Sequence, residues 1–160
     1  MHLKKLALLL VATMLLVGAA PSFALSPEAE EYREAVEPIC KANTEANEKI
    51  LKGVRKEVKE GKLKKASGQL FSAAKALKRT RAQLLKVPKP SEDAARLTNW
   101  LAGVKTEAEL LEATGRKLAK GEKNAAVRMV VQLESNARKT NNLVLDYQFR
   151  YCRFNPTKFL

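Results

Sequence analysis

Two cysteines, Cys40 and Cys152, and one histidine, His2, are the residues of this chain whose type most readily carries covalent or metal chemistry. His2 stands in a segment with the marks of a secretory leader. His2, Lys4 and Lys5 open it, residues 6–17 form an apolar run, and Pro21 precedes a small-x-small site at Ser22-Phe23-Ala24. The run is short for a bilayer core of ~30 Å, so a leader cut near Ala24 suits it better than an uncleaved anchor. On that reading residues 1–24 are the signal peptide and residues 25–160 are one mature domain with no imidazole. The commonest general base, zinc ligand and haem ligand leave together. An even cysteine pair exported to an oxidising compartment predicts a Cys40–Cys152 disulfide rather than a metal site or a catalytic thiol.

The remaining groups offer little catalysis. Ser67, Ser72 and Ser135 would need a lysine base, and nothing marks any of them as a nucleophile. Glu28, Glu31, Glu34 and Glu45 fall mostly on the polar side of one helix. No Glu-x-x-His pair is present, which removes di-iron carboxylate chemistry, and a haem would find only Met129 as a plausible ligand. The expectation is a non-enzymatic protein with no cofactor, no metal and no catalytic residues.

Charge is the stronger signal. The chain carries 30 basic and 17 acidic residues, a net +13. Loss of the leader removes two lysines and no acid, leaving +11. Between Gly61 and Ser91 there are nine basic residues and no acid. Lys75, Lys78, Arg79 and Lys86 share one outward face there, a candidate surface for an anionic polymer or an acidic envelope surface. No aromatic residue interleaves with them to stack on bases, so sequence-specific nucleic acid is not expected. The competing interpretation is a solvated helix surface.

Four helical segments must position these groups. Ser26 caps the first, with Pro27 at its first turn; Val36, Cys40, Asn43, Asn47, Ile50 and Val54 form its inner stripe. Pro38 should kink it or restart it, and Gly61 should end it. The second carries Leu63, Ala66, Leu70, Ala73, Leu77, Thr80 and Leu84 at alternating steps of three and four, and stops at Val87-Pro88-Lys89-Pro90. The third, capped by Ser91, runs through Leu97, Leu101, Val104, Ala108, Leu111, Gly115 and Leu118 to Gly121. The fourth carries Ala126, Val130, Leu133, Ala137, Thr140, Val144, Tyr147 and Tyr151, and ends by Asn155-Pro156. A 3.5-residue repeat with short links predicts an all-α, antiparallel up-down-up-down four-helix bundle, with a kinked first helix and a C-terminal tail tied by the disulfide. A shift of sixty residues aligns Leu51, Gly61, Ala66 and Leu70 with Leu111, Gly121, Ala126 and Val130, a weak internal repeat.

Two further groupings stand out. Asn43, Asn47, Thr80, Asn136 and Thr140 fall on or beside the inner stripes and form a candidate buried polar belt. It serves either as a register-fixing network or as the lining of a ligand pocket. Tyr147, Phe149, Tyr151, Phe154 and Phe159 crowd the C-terminal stretch and should pack over the open end of the bundle beside Tyr32, the alternative being an exposed recognition surface. If helices one and four ran straight from their Gly61 and Gly121 ends, Cys40 and Cys152 would differ in height by roughly 16 Å. A disulfide therefore needs a fourth helix that ends early with a tail that climbs back, a fourth helix shifted upward, or a first helix carried across by the Pro38 kink; Asn155-Pro156 and the aromatic cluster favour the first. The functional expectation is a secreted or envelope protein with a binding or structural role, through its basic face, or else a carrier of a small ligand in the core.

Overall fold

The structure is a computed structural model that describes residues 25–158; the expected leader and Phe159 lie outside it. It is all-helical, with no strand among the described residues.

Helix α1 spans Pro27–Ile50. Ser26 Oγ accepts from the Ala29 N–H at 3.3 Å, and Glu28 and Glu30 occupy the first turn, where the helix dipole favours them. Pro38 lies within this helix, and the chain does not restart there. The interruption comes later. Gly53 adopts φ +86° and opens a separate short helix, α2 (Val54–Lys59). The first segment is thus two helices, a correction to the single helix expected up to Gly61. Glycine tolerates the left-handed turn that a side chain would resist. The break frees helical carbonyls, and Gln69 satisfies two of them: its Nε2 donates to Ile50 O at 2.8 Å and to Lys52 O at 3.2 Å.

Helix α3 spans Leu63–Leu84, α4 Ala94–Ala119 and α5 Lys123–Asn142. The turns at Gly61 and Gly121 are copies of one another. Both glycines have φ +77°. Lys62 N–H reaches Glu57 O at 2.8 Å, and Glu122 N–H reaches Lys117 O at 2.9 Å. Gly61 N–H reaches Val58 O at 3.2 Å, and Gly121 N–H reaches Leu118 O at 2.9 Å. This paired pattern is the glycine-terminated helix end in which two orphan carbonyls are capped by the following backbone. The sixty-residue offset of the sequence thus recurs as matched turn geometry. Before α4, Ser91–Asp93 forms one 3-10 turn, and Ser91 does not cap α4 as expected. Its hydroxyl instead donates to Glu28 Oε2 at 3.4 Å.

The four long helices pack together: α1 and α2 on α3, α3 on α4, and α4 on α5, with no close backbone packing between α1 and α5. Helix α4 lies between two neighbours and is buried along two seams. One is the expected Leu97, Leu101, Val104, Ala108 series. The other is Leu97, Trp100, Val104, Glu107, Leu111, Thr114, Leu118, again in steps of three and four, and every member is buried. Gly103 lets α4 approach α5 closely, since a Cβ there would stand 2.2 Å from Thr140 Oγ1.

Helix α5 ends at Asn142, and the chain turns back through residues 143–155, with Gln148 at φ +50°. Val144, Tyr147 and Tyr151, expected on the fourth helix, lie beyond its end. The early stop brings Cys152 to Cys40, and the two are disulfide-bonded with Cα atoms 5.0 Å apart. Tyr147 and Phe149 are buried, with Tyr32 edge-on to Tyr147 at 5.9 Å and Trp100 5.6 Å from Phe149. The exposed-surface alternative is overturned for these two rings; Tyr151 and Phe154 are half-buried.

Candidate functional site: a polar cavity under the tail

Three helices each contribute a three-four step to one cavity of about 260 Å³. Helix α1 supplies Cys40, Asn43 and Asn47; α3 supplies Leu77, Thr80 and Leu84; α4 supplies Trp100, Val104 and Glu107. The returning tail forms the remaining wall from Arg150 to Asn155, with Lys158 beside it. The disulfide sits in that wall and joins α1 to the tail. The tail is held on both sides. Glu37 of α1 accepts from the Tyr151 N–H at 3.1 Å and also from the Arg150 N–H. Thr44 Oγ1 donates to Tyr151 O at 3.3 Å. Asn141 of α5 donates to Phe154 O at 2.8 Å and accepts from its N–H at 3.1 Å.

Glu107 is the unusual member. It is 1% exposed, and its Oε1 has no hydrogen-bond partner among the described residues. Burial pushes its carboxyl up from 4.5 to about 8. Two other enclosed polar atoms in the cavity walls are unsatisfied in the same way, Asn47 Oδ1 and Trp100 Nε1. Asn47 uses its other amide atom, donating to Asn43 Oδ1 at 3.3 Å. Most buried polar groups in folded proteins are paired, so three residues with unmet groups around one cavity set it apart from an apolar core. The mouth is cationic: Arg150, Arg153 and Lys158 line it, with Lys158 paired to Glu48 and Arg150 lying over the Tyr151 ring at 5.1 Å.

The candidate belt divides. Asn43, Asn47 and Thr80 meet at this cavity. Asn136 and Thr140 do not: Asn136 Nδ2 donates to Gly103 O at 3.0 Å, and Thr140 packs at Gly103 on the seam between α4 and α5. Glu107 and Trp100 were missed by the sequence reading. The signal for them was the second three-four series on α4, in which the acid holds an otherwise apolar register.

The basic face is exposed at Lys75, Lys78, Arg79 and Lys86. Lys78 is paired with Glu112 of α4 at 2.5 Å, so the face is partly neutralised. Among the described residues no helix is long and apolar enough to cross a membrane. No protein-family model, curated protein or solved structure matches the chain.

Proposed function

We propose that this chain is an exported, non-enzymatic binding protein of the cell envelope that holds a small zwitterionic ligand in the cavity beneath its tail. One observation carries the reading: Glu107, Asn47 and Trp100 line one cavity, and each holds an enclosed polar atom without a hydrogen-bond partner. Two unmet acceptors call for a donor such as an ammonium, while the cations at the mouth suit a carboxylate at the ligand's other end. The architecture we propose is an up-down-up-down bundle. The glycine turns at Gly61 and Gly121 and the short link at Val87 to Pro90 support it. The disulfide is compatible with export, and the leader at residues 1–24 would direct it.

Thermal unfolding of the purified protein with a panel of α-amino acids tests this. Amines and carboxylates of the same carbon skeletons serve as controls. A ligand present at a hundred times its Kd stabilises the folded state by about 2.7 kcal/mol. Zwitterions should raise the midpoint more than either control, and Glu107→Leu should remove the rise. A panel without any shift, or a shift indifferent to Glu107→Leu, would refute the reading. A second role rests on the acid-free stretch between Gly61 and Ser91: weak, salt-sensitive attachment to an anionic polymer through Lys75, Arg79 and Lys86. Heparin retention that disappears on reversing these charges would support it, and retention indifferent to salt would exclude it.

A further inference from the structure

We infer that the slot between α2 and α5, near the Gly61 and Gly121 turns, binds the hydrocarbon chain of a long-chain carboxylate whose head group meets cations at the rim. This site is separate from the tail cavity and does not depend on the reading of it. The slot measures about 470 Å³, within the ordinary range for small-molecule sites. Its walls are Val54 and Val58 of α2, Leu70 of α3, Leu118 of α4, and Val127 and Val130 of α5. Helices α2 and α5 flank it without close backbone packing between them. The break at Gly53 separates α2 from α1, so that Val54 and Val58 face this end of the molecule. On α5 the apolar surface continues outward, with Val127 61% and Val131 59% exposed. A solvated helix surface does not need two valines there.

The charge at the rim selects the occupant. Arg55, Lys59 and Lys123 line the slot, and no acid does. A second copy of this strongly basic chain would set cations against cations. An amphipathic helix docks through anchors from i to i+7, about 10.5 Å of axis, whereas the six residues of α2 offer roughly 9 Å of wall. A hydrocarbon chain is narrower and needs only apolar walls, and a carboxylate complements Lys59 and Lys123.

The probes are octanoate, decanoate and dodecanoate below their micelle concentrations, with alkyl alcohols and alkyltrimethylammonium ions of equal length. Binding is followed by calorimetry on the purified protein. Affinity should rise about threefold to fourfold per added methylene until the slot is filled. Carboxylates should bind at least tenfold more tightly than the ammonium ions. Lys59→Glu with Lys123→Glu should reverse that order, and Val130→Trp, which fills the slot from a half-buried position, should abolish binding of every probe. Val127→Glu alters a mostly exposed side chain and should weaken carboxylates tenfold or more with the helical content unchanged, so loss of fold is not confused with loss of the site. The proposal is overturned by equal affinity for both head-group charges, by an absence of chain-length dependence, or by undiminished binding to Val130→Trp. Binding confined to anionic phosphatidylglycerol vesicles, or to an acidic amphipathic peptide, would overturn it equally.

Discussion

Replacement of Glu107 by glutamine should change how stability depends on pH, with a sign that follows from burial. In the folded protein the carboxyl is pushed from 4.5 to about 8, with burial as the cause. Below pH 4.5 both folded and unfolded chains hold the proton. Between 4.5 and about 8 the folded chain holds it and the unfolded chain does not, so stability falls as pH rises through this window. Above about 8 the loss is complete. The interval of roughly 3.5 pH units corresponds to on the order of 5 kcal/mol at 1.36 kcal/mol per unit. That is a large share of the ~5–15 kcal/mol that holds a domain folded. Glutamine has nearly the same shape and no charge to desolvate. Wild type and Glu107→Gln should therefore be close in stability near pH 4.5, and the variant should be the more stable by several kcal/mol near pH 8.

Urea unfolding at fixed disulfide state, from pH 4.5 to 8.5, measures the difference directly. Subtracting one profile from the other cancels titrations common to both proteins. The cations at the cavity mouth, Arg150, Arg153 and Lys158, act the other way if they approach the ionised carboxylate, and would shrink the difference. Parallel profiles across the whole range would refute the reasoning, because they would show that Glu107 meets solvent or a partner. A zwitterion bound through its ammonium should bind more tightly as pH rises toward 8, when Glu107 gives up its proton more readily.

Three further outcomes are expected. Cys40→Ser with Cys152→Ser removes a cross-link between residues 112 apart in sequence and should cost about 2–5 kcal/mol in denaturant unfolding; hydrogen exchange should quicken in residues 150–155 before it does in α4. Gly103→Ala should destabilise by ~1–3 kcal/mol, because the new methyl meets Thr140 Oγ1, and Thr140→Ala in the same chain should return most of the loss; additive costs in that double-mutant cycle would count against the close approach. Tyr147→Phe deletes the hydroxyl that donates to Asp93 Oδ2 at 2.7 Å and should cost about 1–2 kcal/mol, whereas an unchanged midpoint would mean that water replaces the hydroxyl at Asp93.

Much of the fold was legible because the residues that end helices do so through local physics. Ser26-Pro27 opens α1, and Gly61 and Gly121 terminate helices in the left-handed region, as their lack of a Cβ allows. The disulfide followed from an even pair of cysteines read beside an expected leader, and the early stop of α5 from the height mismatch that a straight helix would impose. Gly53 was less legible. It sits among Lys52, Arg55 and Lys56 with no proline nearby, and the side chain that caps two of the carbonyls freed by the break, Gln69, lies nineteen residues beyond Ile50. The candidate site was half legible. Asn43, Asn47 and Thr80 occupy inner registers, so their meeting was readable from spacing. Glu107 was not, since an acid beside a single apolar stripe reads as its polar flank. Only a helix packed on two sides buries that flank, and which helix is central depends on tertiary packing that no local spacing encodes.

The absence of close packing between α1 and α5 ties these features together. Two helices whose backbones do not approach closely leave that part of the core to be covered by other elements, because exposed apolar surface is costly. The chain covers the core differently at its two ends. At one end the tail returns, carries Phe149 and Cys152 into the core, and is fastened to α1 by the disulfide and Glu37 and to α5 by Asn141. Polar backbone and side chains enter with the tail, which explains why the cavity beneath it is lined with amides and a carboxyl rather than closed by leucines. At the other end the short α2 does not reach α5, and the gap stays apolar with cations around it. The polar cavity is lined by α1, α3, α4 and the tail, and the apolar slot by α2, α3, α4 and α5, so the two are closed by different elements and share no lining residue. Glu107→Gln should therefore affect ligand binding in the cavity alone, and Val127→Glu should affect the slot alone, each read by calorimetry with the other site's probe unchanged.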